Sequence, residues 1–276
     1  MAPDFLINGH RDGAISPFDR GFAYGDGVFR TLPVCSGVPH CWERHYRKLC
    51  EDCKVLGIVC PPQELLSADI SLLVGDAEDA TIKIVITRGE GARGYAVPAL
   101  AQPMRLVIKT PAQSYSSDNV DAGVKLHLCE LRLSHQPRLA GVKHLNRLEN
   151  VLARMEWVDP QIFDGLLQDM AGNVIECTMS NVFIRTGNNL MTPDLGRCGV
   201  AGITRARILE LAPLLGYMPE VADITLDQLL HADEVVICNS LYGAWQVREL
   251  GGNSWQHGQL AAKLRERLMQ NDAAAT

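Results

Sequence analysis

The sequence predicts an α/β protein of the α+β type, folded as two domains. Runs rich in Ile and Val, typical of strands, occur along the chain together with amphipathic stretches of helical period. A polar segment rich in Pro, Ser, Asp and Gly at 111–123 separates two stretches of different composition. We therefore predict an N-terminal α/β domain at 1–115, a C-terminal α/β domain at 116–276, and a linker at about 111–122.

Composition narrows the class of protein. The chain has 276 residues, of which 47% are hydrophobic and 21% charged, as is ordinary for a soluble globular protein. The net charge of -6 gives no indication of a basic face, so nucleic acid is not an expected partner. The first residues lack the pattern of a signal peptide, and no apolar run approaches the ~18 residues that span a bilayer. We expect a cytoplasmic protein without a membrane partner.

The nine cysteines indicate reduced thiols rather than a disulfide framework, because their number is odd and the chain is large. Cys50 and Cys53 form a CxxC motif, but no second ligand pair stands at a matching spacing. Both residues suit the small-residue face of a helix, so no metal site is expected.

In the N-terminal part, two runs read as strands and one as a helix. The strands are predicted at 80–88 and 104–110, and the helix at 42–57 with Gly57 as its stop signal. The segment 89–94 fits the dinucleotide motif GxGxxG. A second strand-like run follows it instead of a helix, and a dinucleotide site needs helix N–H groups. We reject nucleotide binding there and interpret the glycines as a sharp loop.

The C-terminal part continues the alternation of strands and helices. A strand is predicted at 124–133, and the helix at 147–157 places Leu148, Val151, Leu152 and Met155 on one face. Further predicted elements are hairpins at 163–178 and 181–193, a glycine-rich loop running into a helix at 196–216, and a capped helix with a strand at 225–240.

Three features in this part could carry chemistry. Lys143 lies next to apolar residues just before a helix, although a surface lysine is the default interpretation. Glu176 lies in an apolar strand, where a carboxylate needs a partner such as a pyridinium N–H or a salt bridge. The loop at 199–204 ends at a helix N-terminus that could bind phosphate, although an ordinary capped helix fits the same pattern.

Five sequence blocks resemble one family of enzymes. The blocks are DRGFAYGDGVFRT (19–31), GVKHLNRLENVLAR (141–154), VIECTMSNVFI (174–184), GVAGITRARILEL (199–211) and VVICNS (235–240). Their order and separations resemble those of the fold-type IV pyridoxal-phosphate enzymes, which include branched-chain and D-amino-acid aminotransferases and 4-amino-4-deoxychorismate lyases. The strings KHLNRLENVLAR and TRGEGARGY are most similar to the lyase branch. The resemblance implies a two-domain fold like that of D-amino-acid aminotransferase.

The resemblance implies pyridoxal 5'-phosphate as the cofactor, with a role for each matching residue. Lys143 is implied to be the catalytic residue that holds the cofactor as a Schiff base, and Glu176 to pair with the pyridine nitrogen. The implied contacts to the cofactor's phosphate come from four residues in two of the blocks: Ile203, Thr204, Asn239 and Ser240.

The resemblance also indicates a departure at the phosphate. The family usually has an arginine three residues after His45, but Lys48 stands there and Arg47 precedes it. We interpret Lys48 as the phosphate contact in preference to Arg47, although a lysine lacks the bidentate fork of an arginine.

Substrate contacts are implied at four further positions. Arg93 and Tyr95 match residues that meet the substrate carboxylate in related aminotransferases, and Phe29 and Arg30 match residues that line the pocket. In those relatives the loop of Arg93 reaches the site from the neighbouring subunit, which implies a homodimer with the site at the interface.

The implied activity is a lyase reaction on a small molecule, in which 4-amino-4-deoxychorismate yields 4-aminobenzoate and pyruvate for folate biosynthesis. A D-amino-acid or branched-chain aminotransferase on the same fold is the alternative. Phe29 stands where D-amino-acid aminotransferases commonly have tyrosine, which weakens that alternative. A non-catalytic relative would retain buried charges that only cost stability.

Overall fold

The computed structural model describes residues 4–273, which form two compact units. The first unit runs to Ser114 and also takes in Val142–Asn146, whereas the second comprises Tyr115–Gly141 and the chain from Arg147 onward. The boundary after Ser114 lies within the segment predicted as a linker. The segment that holds Lys143, which we predicted in the C-terminal domain, is grouped with the first unit.

The first unit contains a five-stranded antiparallel sheet in the order β1-β5-β4-β2-β3. Its elements are β1 (Asp4–Ile7), α1 (Arg20–Tyr24), β2 (Gly27–Cys35), β3 (Val38–Pro39), α2 (Trp42–Leu56), α3 (Gln63–Leu73), β4 (Ala80–Thr87) and β5 (Met104–Pro111). The strands predicted at 80–88 and 104–110 and the helix predicted at 42–57 are confirmed. Gly57 ends α2 in the left-handed region, at φ 66°, where a residue without a Cβ is favoured.

Side chains of β2 alternate between the two faces of this sheet, as the pleat requires. Val28 and Leu32 point into the core, where they meet Leu49 and Cys53 of α2. Phe29 and Thr31 lie on the opposite face and are only half-buried. Phe29 and Thr31 are therefore residues of β2 that could meet a ligand on that face.

The second unit contains a ten-stranded mixed sheet, ordered β11-β10-β9-β13-β14-β6-β7-β8-β12 with β15 paired to β14. Its elements are α4 (Asp118–Asp121), β6 (Val124–Leu133), α5 (Leu148–Arg154), β7 (Ile162–Asp169), β8 (Asn173–Cys177), β9 (Asn181–Thr186), β10 (Asn189–Pro193), α6 (Ile203–Leu211), β11 (Met218–Ala222), β12 (Ile224–Thr225), α7 (Leu226–Leu230), β13 (Glu234–Asn239), β14 (Gly243–Leu250), β15 (Asn253–Ser254) and α8 (Leu260–Ala273). Both predicted hairpins, the strand at 124–133 and the capped helix α7 are confirmed.

The helix after Lys143 differs from its prediction. It is shorter, at Leu148–Arg154, and it buries Ala153 rather than its large apolar residues. Leu148 is 74% exposed, Val151 52% and Leu152 54%. The amphipathic pattern is present, but within one chain its apolar face lies in solvent.

None of the helices in the described part of the chain combines the length and apolar composition needed to cross a membrane.

Candidate active site

Lys143 lies in an extended segment beside the start of β2. The backbone N–H of Phe29 donates to the carbonyl of Lys143 at 3.0 Å, and Leu145 N–H donates to the carbonyl of Gly27 at 3.0 Å. The Nζ of Lys143 lies 4.8 Å from the centroid of the Phe29 ring, within range of a cation–π interaction. The Nζ of Lys83 lies 5.0 Å from the same ring. Two ammonium groups therefore share one aromatic ring on the face opposite the core.

The Arg30 side chain lies on the core face of β2, away from Phe29. It is 3% exposed, and its Nη2 forms an ion pair with the carboxylate of Asp52 on α2. Burial lowers the pKa of the Arg30 guanidinium, and the charge of Asp52 acts against that shift. Arg30, which we expected to line the substrate pocket beside Phe29, thus points to the opposite face of the sheet, because adjacent strand residues alternate between the faces.

Asp52 also connects to Lys48 and Lys143. The Nζ of Lys48, four residues earlier on α2, forms an ion pair with Asp52 Oδ1. The backbone N–H of Lys143 donates to Asp52 Oδ2 at 3.3 Å. Arg47 is exposed on α2. Lys48 and Arg47 were the two residues considered for the phosphate contact. Of these, Lys48 is the one that contacts Asp52, the residue that also accepts the Lys143 N–H.

The loop that carries Arg93 and Tyr95 is held by a buried arginine. Arg20 Nη1 donates to the carbonyls of Gly94 and Ala96 at 3.0 and 3.3 Å. Arg20 Nε in turn pairs with Asp26 at 2.9 Å. Tyr95 is 85% exposed and Arg93 is exposed, so this loop presents a cation and a phenol to solvent while its backbone is fixed.

Glu176 is buried in β8 and is tied to the loop before α6. Its Oε2 accepts the backbone N–H of Val200 at 2.8 Å. Gly199 adopts φ +85°, and a Cβ there would lie 2.7 Å from Ile175 Cγ2. The close approach of this loop to β8 therefore requires a glycine.

The first turn of α6 carries Ile203 and Thr204, both buried. Gly202 caps the helix without a side-chain hydrogen bond to the first turn, and its own N–H donates to Asn181 Oδ1 at 3.2 Å. The N–H groups of a helix's first turn have no intrahelical acceptor, and the helix dipole makes this end positive. Anion binding at this turn stays a prediction.

Asn239 and Ser240 lie at the end of β13. Asn239 Oδ1 accepts the N–H of Leu241 at 2.9 Å and that of Tyr242 at 3.2 Å. The Asn239 side chain thus stabilises the turn after β13.

Sequence reasoning missed Asp164, which orders the turn after Glu176. This fully buried carboxylate accepts the hydroxyls of Thr178 at 2.6 Å and Ser180 at 2.7 Å. Burial raises the pKa of Asp164, and the two hydroxyl donors act against the shift. An aspartate among the apolar residues at the start of β7, between Phe163 and Leu166, is the signal that could have revealed it.

Asp52 and Arg20 were also missed. Asp52 follows Leu49 and precedes Cys53 on the buried face of α2, and Lys48 stands at the i,i+4 spacing of a helical ion pair. The ion pair of Lys48 and Asp52 could therefore have been predicted from their spacing in the sequence. The long-range contacts of Arg20 were not, because they depend on how a loop more than 70 residues later folds.

Comparisons with known proteins agree with this architecture. Residues 27–250 match the model of the family described as amino-transferase class IV. An aminodeoxychorismate lyase of Vibrio harveyi is 36% identical over 97% of this chain and 98% of its own length. The crystal structure of a 4-amino-4-deoxychorismate lyase from Pseudomonas aeruginosa superposes with a TM-score of 0.91 and 42% identity, covering 97% of this chain and 98% of that one. A D-alanine aminotransferase of Bacillus licheniformis is 26% identical, covering 87% of this chain and 84% of its own.

The chain therefore belongs to the amino-transferase class IV family. The predicted fold class, a mixed α/β fold of fold type IV, is confirmed.

Proposed function

We propose that this chain is a pyridoxal-phosphate-dependent lyase that converts 4-amino-4-deoxychorismate to 4-aminobenzoate and pyruvate, a step of folate biosynthesis. The observation that carries the proposal is the likeness to the Pseudomonas aeruginosa lyase, at 42% identity over 97% of this chain. Aminotransferase relatives are more distant, at 30% and 26% identity.

The described residues fit the proposed cofactor. Pyridoxal phosphate needs a primary amine, an acceptor for its protonated ring nitrogen and an anion site. Lys143 supplies an amine fixed over Phe29, and Glu176 supplies a buried carboxylate already oriented by the Val200 N–H. A pyridinium N–H would give this buried carboxylate a further, charged donor. The first turn of α6 supplies N–H groups and the Thr204 hydroxyl.

When bound, the cofactor supplies an electron sink for charge that develops at the carbon bearing the substrate's amine. Lys143 would hold the cofactor covalently as a Schiff base. Its free amine would take the proton from that carbon as a general base. Glu176 would keep the ring nitrogen protonated. Breaking the C–O bond to the enolpyruvyl group would make the remaining ring aromatic, and the released enolpyruvate would take up a proton to become pyruvate. The protein therefore mainly has to position one base and hold two carboxylates.

Arg93 is the proposed contact for one of those carboxylates, with Tyr95 beside it on the same loop. The hold of Arg20 on the Gly94 and Ala96 carbonyls supports this role, because a preformed loop loses little entropy when it binds a ligand. Phe29 is proposed to line the substrate pocket on the face of β2 that carries Lys143.

A homodimer is part of the proposal. Leu148, Val151, Leu152 and Met155 expose an apolar face on α5, and single chains rarely leave contiguous apolar patches in water. Burying this face against a second copy would remove it from solvent.

A product assay tests the proposed reaction. Purified holoenzyme is incubated with 4-amino-4-deoxychorismate, and 4-aminobenzoate and pyruvate are followed together. We expect the two products in equal amounts. Failure to form them, together with conversion of the cofactor to its pyridoxamine form by D-alanine or leucine, would establish the aminotransferase alternative instead.

A further inference from the structure

Asn181 holds the chain that precedes α6 at two points. Its side-chain Nδ2 donates to the carbonyl of Val200 at 2.8 Å, and its Oδ1 accepts the backbone N–H of Gly202 at 3.2 Å. Asn181 is 6% exposed and stands at the start of β9, whose backbone pairs with β13. One buried amide therefore attaches residues 200–202 to the ten-stranded sheet.

The backbone of Val200 is held from both sides. Its N–H donates to the carboxylate of Glu176 at 2.8 Å, and its carbonyl accepts from the amide of Asn181, also at 2.8 Å. Glu176 lies near the end of β8 and Asn181 at the start of the next strand, β9. The loop before α6 is therefore fixed to two neighbouring strands at a single residue.

Gly202 is the residue that connects this loop to the helix. It has no side chain that could cap the first turn, and the N–H of Ala206 makes its intrahelical bond to the Gly202 carbonyl at 3.1 Å. The N–H groups of residues 203–205 come before that bond, at the positive end of the helix dipole. Because Asn181 accepts the N–H of Gly202 itself, it fixes the turn through the residue ahead of it.

The contact between Asn181 and Gly202 is close enough to require a glycine. A Cβ at position 202 would lie 2.2 Å from Asn181 Oδ1. The backbone of Gly202 has φ -76° and ψ 148°, an extended conformation that any residue can adopt. The requirement for glycine therefore comes from the approach of the Asn181 amide and not from backbone strain.

We propose that Asn181 is a positioning residue that fixes the first turn of α6 where it binds the cofactor's phosphate. This inference rests on the proposed function. Asn181 binds residues 200 and 202, and Glu176 binds residue 200, so the helix end and the carboxylate are fixed relative to each other. A ligand that must meet both groups loses less entropy on binding when they are already in place.

The test compares two aldehydes on protein freed of cofactor: pyridoxal phosphate, and pyridoxal, which lacks the phosphate. The dissociation constant of pyridoxal divided by that of pyridoxal phosphate reports the contribution of the phosphate. A general loss of structure would weaken both aldehydes and leave this ratio unchanged. We expect Asn181→Ala to lower the ratio about tenfold, because the turn loses the two hydrogen bonds that hold it.

Gln246 of β14 offers a matched control, because its amide makes the same two kinds of contact to the loop before α8. Its Nε2 donates to the carbonyl of Gln256 at 2.7 Å, and its Oε1 accepts the N–H of Gly258 at 2.8 Å. Gln246 is 3% exposed, so it is as buried as Asn181. Gln246→Ala should lower stability in urea and leave the ratio unchanged.

Gly202→Ala disturbs the same contact from the other side. The new Cβ displaces the Asn181 amide, so we expect this variant also to lower the ratio about tenfold. Combining it with Asn181→Ala should lower the ratio no further than either change alone, because Asn181→Ala removes the atom that the Cβ meets.

An Asn181→Ala protein with the wild-type ratio overturns the inference, as does an equal fall in Gln246→Ala. A fall of about a hundredfold in the double variant contradicts it too, because the two changes would then act independently. If Asn181→Ala does not fold by circular dichroism, Gly202→Ala alone decides, and a wild-type ratio there contradicts the inference. Wild-type protein that binds neither aldehyde at Lys143 would instead refute the proposed function.

Discussion

The carboxylate of Glu176 accepts the backbone N–H of Val200 at 2.8 Å, which ties β8 to the loop that precedes α6. A buried acid and a helix N-terminus are thereby held in one rigid arrangement within the second unit. The arrangement orients one carboxylate oxygen before any ligand binds, and such preorganisation is what a ring-nitrogen contact needs.

Replacing Glu176 by glutamine separates its charge from its shape. The amide oxygen of Glu176→Gln can still accept the Val200 N–H, so we expect the cofactor to bind. Turnover should fall about a hundredfold or more, because the ring nitrogen loses the charge that keeps it protonated. The measurement is the rate of 4-aminobenzoate formation, with the exposed Glu220→Gln as control. A mild effect would make Glu176 a structural residue.

Gly199 should tolerate no side chain. Gly199→Ala combines the strain of φ +85° with a Cβ placed 2.7 Å from Ile175 Cγ2. Gly216 is the matched control, since it has φ +82° with no atom within 4 Å of an added Cβ. We expect Gly216→Ala to lower the free energy of unfolding by about 1 kcal/mol and Gly199→Ala by about 2–4 kcal/mol. Equal losses in urea unfolding would contradict the close approach at Gly199.

The fold was predictable where patterns are local. The Ile- and Val-rich runs predicted β4 and β5, and the Thr225–Gln228 spacing predicted the capping box of α7, because both depend on neighbours in sequence. The side of β2 that Arg30 occupies was not predictable from the family resemblance, since it depends on the register of β2 and its pairing with α2. The exposure of the α5 face also escaped prediction, because an amphipathic pattern does not say what covers its apolar side.

The sequence predicted the chemical groups of the candidate site, but not the residues that hold those groups in place. Sequence blocks indicated Lys143 and Glu176, whose roles stay predictions. Asp52 and Asp164 were missed although each carried a local signal, whereas their contacts to the Lys143 backbone and to Ser180 depend on the folded chain and could not be predicted. The two-domain boundaries, the homodimer and the cytoplasmic location also stay predictions.

Asp26 gives the fold a defined dependence on pH. Burial acts to raise the pKa of Asp26, but Arg88 and Arg20 outweigh it, so the pKa lies below its ordinary value. A carboxylate whose pKa is lower in the folded state than in the unfolded state stabilises the fold at pH values above its unfolded-state pKa of about 3.9. That stabilisation is lost as the pH falls through the folded-state pKa. We expect Asp26→Asn to lower the free energy of unfolding by about 3 kcal/mol at pH 7. The difference from wild type should shrink below about pH 4 in urea unfolding. A difference independent of pH would show that the charge of Asp26 is unimportant.

The exposed face of α5 should determine the oligomeric state. Leu152→Glu places a charge on this face, and a charge buried in an interface without a partner is strongly unfavourable. We expect wild type to sediment as a dimer and Leu152→Glu as a monomer in analytical ultracentrifugation. Leu214→Glu alters another exposed leucine of the second unit, 70% exposed against 54% for Leu152, and should remain dimeric. A dimeric Leu152→Glu protein would exclude this face from the interface.

Reductive trapping of the cofactor tests the central claim most directly. Borohydride fixes a Schiff base as a stable secondary amine, and peptide mass spectrometry of the reduced holoenzyme then locates it. We predict a single phosphopyridoxyl group on Lys143, absent from a Lys143→Ala protein that still folds. A modified Lys83, which shares the Phe29 ring with Lys143, or a wild-type chain with no modified lysine, would contradict the assignment.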